Sequence, residues 1–211
     1  MNIMFYFLLA LTAVLPITAY PGDPVLDING DAILGGSYYI LPAISGTGGG
    51  GLSFVSLPNM QCPIFIGQET SEVNRGIPVK FSNWKSRVGF VPEAESLNIQ
   101  MDVAATTCGQ STYWWVSSTY LRVFTCYIKA GPKPVPGEDS SMSFFKIKKI
   151  GEFRNGYKIT YCFEGYGCHD VGIARDGYGV RRLVLGDYMS YPVVFMKATE
   201  TETSSKTMSI I

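Results

Sequence analysis

Between Ser37 and Lys197 the chain is cut into short runs rich in β-branched and aromatic residues, each bounded by Gly, Pro, Asn or Ser. The runs are Ser37–Pro42, Leu52–Ser56, Cys62–Gln68, Val79–Ser82, Val88–Val91, Leu97–Asp102 and Tyr113–Ser117, then Phe124–Lys129, Phe144–Ile150, Tyr157–Phe163, Val171–Arg175, Arg181–Leu185 and Val193–Lys197. No window of useful length carries the period of an amphipathic helix. About a dozen short strands, with turns every 8–12 residues or so, predict an all-β sandwich or barrel. The 23 glycines, 13 tyrosines and 12 phenylalanines suit such a fold. With 211 residues the chain is one moderate domain, able to bury roughly 70% of its unfolded surface. A formal net charge of zero gives no electrostatic case for nucleic acid.

Two segments stand apart from this pattern. Met1–Ala19 carries no charge, and its apolar run from Ile3 to Leu15 is too short to span a bilayer comfortably. With Pro16 and the small-residue end Thr18-Ala19, it reads as a secretory signal peptide cut near Ala19. The stretch 199–211 is a polar, Ser/Thr-rich C-terminal tail, which leaves 20–198 as the single folded domain. Secretion gives meaning to the five cysteines, Cys62, Cys108, Cys126, Cys162 and Cys168. Two bridges and one free thiol are the simplest count in an oxidising compartment. Cys162 and Cys168 are close enough in sequence to staple a hairpin, and Cys126, inside an apolar run, reads as a small buried hydrophobe.

Candidate chemistry is sparse. His169 is the only histidine, follows a cysteine expected to be bridged, and has no nucleophile-elbow motif near it, so catalysis is not expected. Cys162, Cys168 and His169 are too few and wrongly spaced for zinc, and no other cofactor is implied. Glu93 with Glu95, and Glu138 with Asp139, read as solvated loop charges. The glycine-rich Ser45–Gly51 precedes a strand rather than a helix, so it reads as a flexible loop and not a phosphate cradle. Arg181 and Arg182 on one strand should split, one inward to a polar partner and one outward. Trp114 and Trp115 should split in the same way. A Tyr or aromatic pair follows a turn at Tyr38, Tyr113 and Tyr157, a faint internal echo at irregular spacing.

One connection is out of character. Asn83-Trp84-Lys85-Ser86-Arg87-Val88-Gly89 puts two long cations and an indole where loops favour small polar residues. It reads either as a solvated basic loop or as an Arg–Val bond displayed to a trypsin-like protease.

Several stretches together resemble the plant Kunitz-type, soybean trypsin inhibitor-like family. They are Val25-Leu26-Asp27 with Gly30-Asp31, Gly35–Pro42, Gln61-Cys62-Pro63, Gly76–Phe81, the Cys162 and Cys168 pair, Arg181–Leu185 and Pro192–Ala198. The resemblance runs from about Val25 to Ala198. It implies a β-trefoil of about twelve strands in three pseudo-repeats, with bridges Cys62–Cys108 and Cys162–Cys168 and Cys126 left over. It further implies a secreted or vacuolar, monomeric serine protease inhibitor of plant defence, with no enzymatic activity and no membrane attachment once the leader is gone. The family's reactive loop here is Ser82–Phe90, with Arg87 and Val88 as the reactive bond and Trp84, Lys85, Ser86 and Gly89 around it. One extra residue precedes the bond, which makes Lys85-Ser86 a second candidate. The family's bracing Asn before the Gly-Gly pair is absent, because the segment reads Ala32-Ile33-Leu34-Gly35-Gly36. Alternative readings are inhibition of a cysteine protease or a serine carboxypeptidase through another loop, and a non-inhibitory carbohydrate-binding or storage trefoil.

Overall fold

Among the described residues twelve strands form where the β-branched and aromatic runs lie. They are β1 (Tyr38–Pro42), β2 (Leu52–Leu57), β3 (Met60–Gln68), β4 (Val79–Ser82), β5 (Asn98–Met101) and β6 (Tyr113–Val116), followed by β7 (Cys126–Gly131), β8 (Lys146–Lys149), β9 (Tyr157–Phe163), β10 (Gly167–Arg175), β11 (Arg181–Leu185) and β12 (Val193–Lys197). The structure is a computed structural model that describes residues 22–199 apart from Thr47, Pro58, Asn59, Ala105, residues 118–125, Tyr166 and residues 187–189. The expected leader and all of the expected tail beyond Thr199 lie outside the described residues. No helix among the described residues is long and apolar enough to cross a membrane.

The antiparallel pairings close on themselves. β1 pairs with β12 over its full length and touches β4 at Tyr38↔Val79, and β4 pairs with β5 from Val79↔Met101 to Ser82↔Asn98. A Leu97↔Phe145 bridge joins the start of β5 to the start of β8, β8 pairs with β9, and β9 returns to β12 at Tyr157↔Val193. A six-strand ring results. The other strands form hairpins β2–β3, β6–β7 and β10–β11. Their inner strands meet pairwise, at Phe65↔Lys129, Val184↔Tyr127 and Arg182↔Gly67. The ring strands contribute buried side chains to one core, joined there by Trp114 of β6 and by Phe145 just before β8. Inside lie Ile40, Val79, Ile99, Trp114, Phe145, Tyr157 and Phe195, all fully buried. Edge-to-face ring pairs fill the space: Trp114 meets Phe145 at 5.7 Å, and Phe195 meets Phe81 at 5.6 Å.

Both paired side chains split across the sheet. Trp114 is buried, while Trp115 turns outward and donates from its indole to the Pro132 carbonyl at 2.8 Å. Arg182 is buried and pairs with Asp176 at 2.6 Å, whereas Arg181 lies half-exposed and donates to Gln68 at 3.0 Å. Disulfides join Cys62 to Cys108 and Cys162 to Cys168, and Cys126 is free and buried.

One expected strand does not form. Val88–Val91 is irregular because Val91 is claimed by the N-terminal segment: its amide donates to Ile33, and its carbonyl accepts from Val25. The β-propensity of the run serves burial of Val91 instead of a ladder.

Candidate functional site

The connection from β4 to β5 is clamped at its base. Ser82 sits opposite Asn98, where the two strands part. Asn83, the first residue of the connection, has φ of 64°, a left-handed backbone that Asn tolerates better than most residues. Its side-chain amide donates to Asn98 Oδ1 at 2.6 Å. Asn98 is fully buried and donates in turn to the Ser143 carbonyl at 2.8 Å and to Ser143 Oγ at 3.0 Å. The loop base is therefore tied through one buried amide to the short 3₁₀ turn Ser141–Ser143.

Beyond this base, exposure alternates along the chain. Asn83, Lys85, Arg87 and Gly89 are exposed, and Trp84, Ser86 and Val88 are partly buried. Bends at Lys85-Ser86 and Gly89-Phe90 flank the Arg87-Val88 junction. Among the described residues neither Lys85 nor Arg87 spends its charge on a side-chain hydrogen bond or ion pair. The intervening side chains turn back toward the domain. Trp84 packs against the edge of the core, and its indole N–H donates to the Val88 carbonyl at 3.1 Å. The Ser86 amide donates to Glu95 Oε2 at 3.0 Å. All six expected loop residues thus lie on one short surface segment, with Lys85, Arg87 and Gly89 exposed.

Two acidic residues near the loop depart from expectation. Glu95 is engaged with the Ser86 amide. Glu93 has one carboxyl oxygen buried without a hydrogen-bond partner, and burial raises its carboxyl above the ordinary value, with Lys149 opposing and Asp23 reinforcing. Neither is a solvated loop charge. Asn98 was also missed, since a strand-terminal Asn carries no local sign that its amide will brace the start of the connection before it. His169 lies on β10, half-buried, with its ring 5.6 Å from that of Phe163. No group of three or more His, Cys, Asp or Glu side chains among the described residues could hold a metal ion.

A family model described as trypsin and protease inhibitor, of the legume Kunitz type, matches residues 25–197. The chain belongs to the legume Kunitz inhibitor family. Among its relatives, Kunitz trypsin inhibitor 4 of Arabidopsis thaliana is 50% identical across 99% of this chain and 97% of its own. The alpha-amylase/subtilisin inhibitor of Oryza sativa subsp. japonica is 35% identical across 90% of this chain and 92% of its own. A solved complex of porcine pancreatic trypsin with soybean trypsin inhibitor aligns with a TM-score of 0.69 and 30% identity, over 84% of this chain and all of the matched one. Within this Kunitz inhibitor, the β4–β5 connection is the segment whose exposed cations and inward braces require a purpose.

Proposed function

We propose that the protein inhibits trypsin-like serine endopeptidases, presenting Arg87-Val88 as a substrate-like reactive bond. The observation that carries this reading is the exposed, unpaired Arg87 set between two backbone braces, from Ser86 to Glu95 and from Val88 to Trp84. Arg87 would enter the protease's primary pocket, where a planar guanidinium suits bidentate pairing with a carboxylate. A loop held in place before binding loses little entropy on binding, so a modest interface can bind tightly. Membership of the inhibitor family, and likeness to an inhibitor solved together with trypsin, support the target class.

The architecture fits a β-trefoil. Strands β3, β7 and β11 are four apart in order, meet pairwise, and each belongs to a hairpin attached to the six-strand ring. Three four-strand repeats about a pseudo-threefold axis generate this pairing set. Two disulfides and the apolar Met1–Ala19 support entry into the secretory pathway, cleavage near Ala19, and an extracellular or vacuolar destination.

Titration of trypsin with the mature protein tests the reading. Tight inhibition is expected, with Arg87→Ala raising the inhibition constant by about 30- to 1,000-fold, as for a buried anchor at an interface. Lys85→Ala should cost far less. Equal potency of Arg87→Ala and the unmodified protein would rule out Arg87 as the primary contact.

A further inference from the structure

We propose, on the basis of the inhibitor reading, that Trp84 and Glu95 are positioning residues which bridge the Arg87-Val88 bond and keep its two ends together after cleavage. Trp84 precedes this bond and Val88 follows it. The indole N–H to Val88 carbonyl contact at 3.1 Å therefore crosses the bond without depending on it. The indole is seated against the core, so the tether has a fixed end. On the preceding side, Glu95 reaches from the return limb of the loop and holds the Ser86 amide at 3.0 Å. Arg87 thus sits between two anchored neighbours, and the Asn83–Asn98 contact at 2.6 Å fixes the base below them.

Among the described residues, no hydrogen bond reaches Asn83–Gly89 from the N-terminal segment Ala32–Gly36. It contains no Asn, and the Ile33 amide and carbonyl are committed to Val25 and Val91. Trp84 and Glu95, together with Asn98 of β5, supply the support instead.

The chemical consequence concerns the acyl-enzyme. Attack by the protease serine joins its oxygen to the Arg87 carbonyl carbon and frees the Val88 amine. In an ordinary substrate the amine-bearing segment diffuses away, and water completes hydrolysis. Here Val88 stays tethered to Trp84, on the acylated half of the loop. Its amine can then attack the ester carbon: the C–N bond re-forms, the C–O bond to serine breaks, and the amine proton passes through the protease's base to the serine oxygen. No water is consumed, and the intact inhibitor is restored.

The test compares unmodified protein, Trp84→Phe, Glu95→Ala and Glu95→Gln. Each is incubated with catalytic trypsin, the ratio of cleaved to intact Arg87-Val88 bond at equilibrium is read by mass spectrometry, and thermal midpoints are measured alongside. Trp84→Phe keeps a ring for packing and loses the N–H. It should hold its midpoint while the cleaved-to-intact ratio rises about five- to tenfold, the range for one or two lost hydrogen bonds, and inhibition becomes temporary. Glu95→Ala should behave alike, and Glu95→Gln, which keeps an acceptor oxygen, should recover most of the loss. Unmodified ratios in both Trp84→Phe and Glu95→Ala would overturn the proposal, and no recovery in Glu95→Gln would overturn the part assigned to Glu95. An unmodified protein that trypsin neither binds nor cuts at Arg87-Val88 would overturn the inhibitor reading itself, whatever the variants do.

Discussion

Arg87 and Lys85 stand two residues apart, both exposed, so charge alone does not choose between them. Bracing does. The amide before Arg87 and the carbonyl after it are both held, whereas Lys85 lies at a bend. The buried Asn98 amide underlies both by fixing Asn83. Asn98→Ala strands a buried Ser143 carbonyl and frees the loop base, so it should lower stability by about 2–3 kcal/mol in urea unfolding. It should also raise the inhibition constant more than Lys85→Ala does. Glu93 offers a pH test. Its carboxyl is raised in the folded state, so the folded chain binds its proton more tightly than the unfolded chain. Between the ordinary carboxylate value and the raised one, stability then falls as pH climbs. Glu93→Gln removes that penalty, so its thermal midpoint should exceed that of the unmodified protein at pH 7, and the gap should narrow at pH 4. The exposed cations were legible in the sequence because long charged side chains in a loop are conspicuous. Glu95, Asn98 and Glu93 were not, because a carboxylate or amide acquires its partner only on folding, whether that partner is near in sequence, as Ser86 is to Glu95, or far, as Ser143 is from Asn98.

The β4–β5 connection is an element held at both ends by strand pairing, and its sequence made the first strand plain: Val79 is buried beside an exposed Lys80, with Phe81 and Ser82 partly buried. The misreading of Val88–Val91 as a strand came from the same source as its burial, since apolar β-branched residues mark a buried surface without saying which backbone will pair with them. The disulfides lie outside this element and should act on stability more than on inhibition. The Cys62–Cys108 bridge, with a sequence separation of 46, encloses the whole connection. By loop-closure entropy its removal costs about 4 kcal/mol, against about 2.5 kcal/mol for Cys162–Cys168, whose separation is 6. Double Cys→Ser variants in urea should follow that order. At temperatures where each variant stays folded, the inhibition constant should remain within about threefold, because the Trp84, Glu95 and Asn98 contacts are noncovalent and local.

At the scale of the whole molecule, the ring closes through its two chain ends. β12 runs between β1 and β9, so the last strand completes what the first began. Phe195, fully buried, packs on Phe81 and Tyr157, and its carbonyl accepts from the Ile28 amide at 2.8 Å. Phe81 belongs to β4, directly before the β4–β5 connection, so the C-terminal strand packs against the base of that connection. Loss of β12 would leave β1 and β9 with unpaired edges and open the core at Phe81 and Tyr157. Pairings between distant parts of the chain also repay their closure entropy only when complete, which makes such a ring cooperative and slow to form. A chain ending at Thr199 keeps each of these contacts, including the Ala198 amide to Ser37 carbonyl bond at 2.8 Å. It should unfold in a single transition with a midpoint within about 2 °C of the full chain, since it keeps every one of these contacts. A chain ending at Tyr191 should show no cooperative transition by circular dichroism and no lasting complex with trypsin. Retention of both by the shorter chain would mean that the ring holds the proposed reactive loop without being closed.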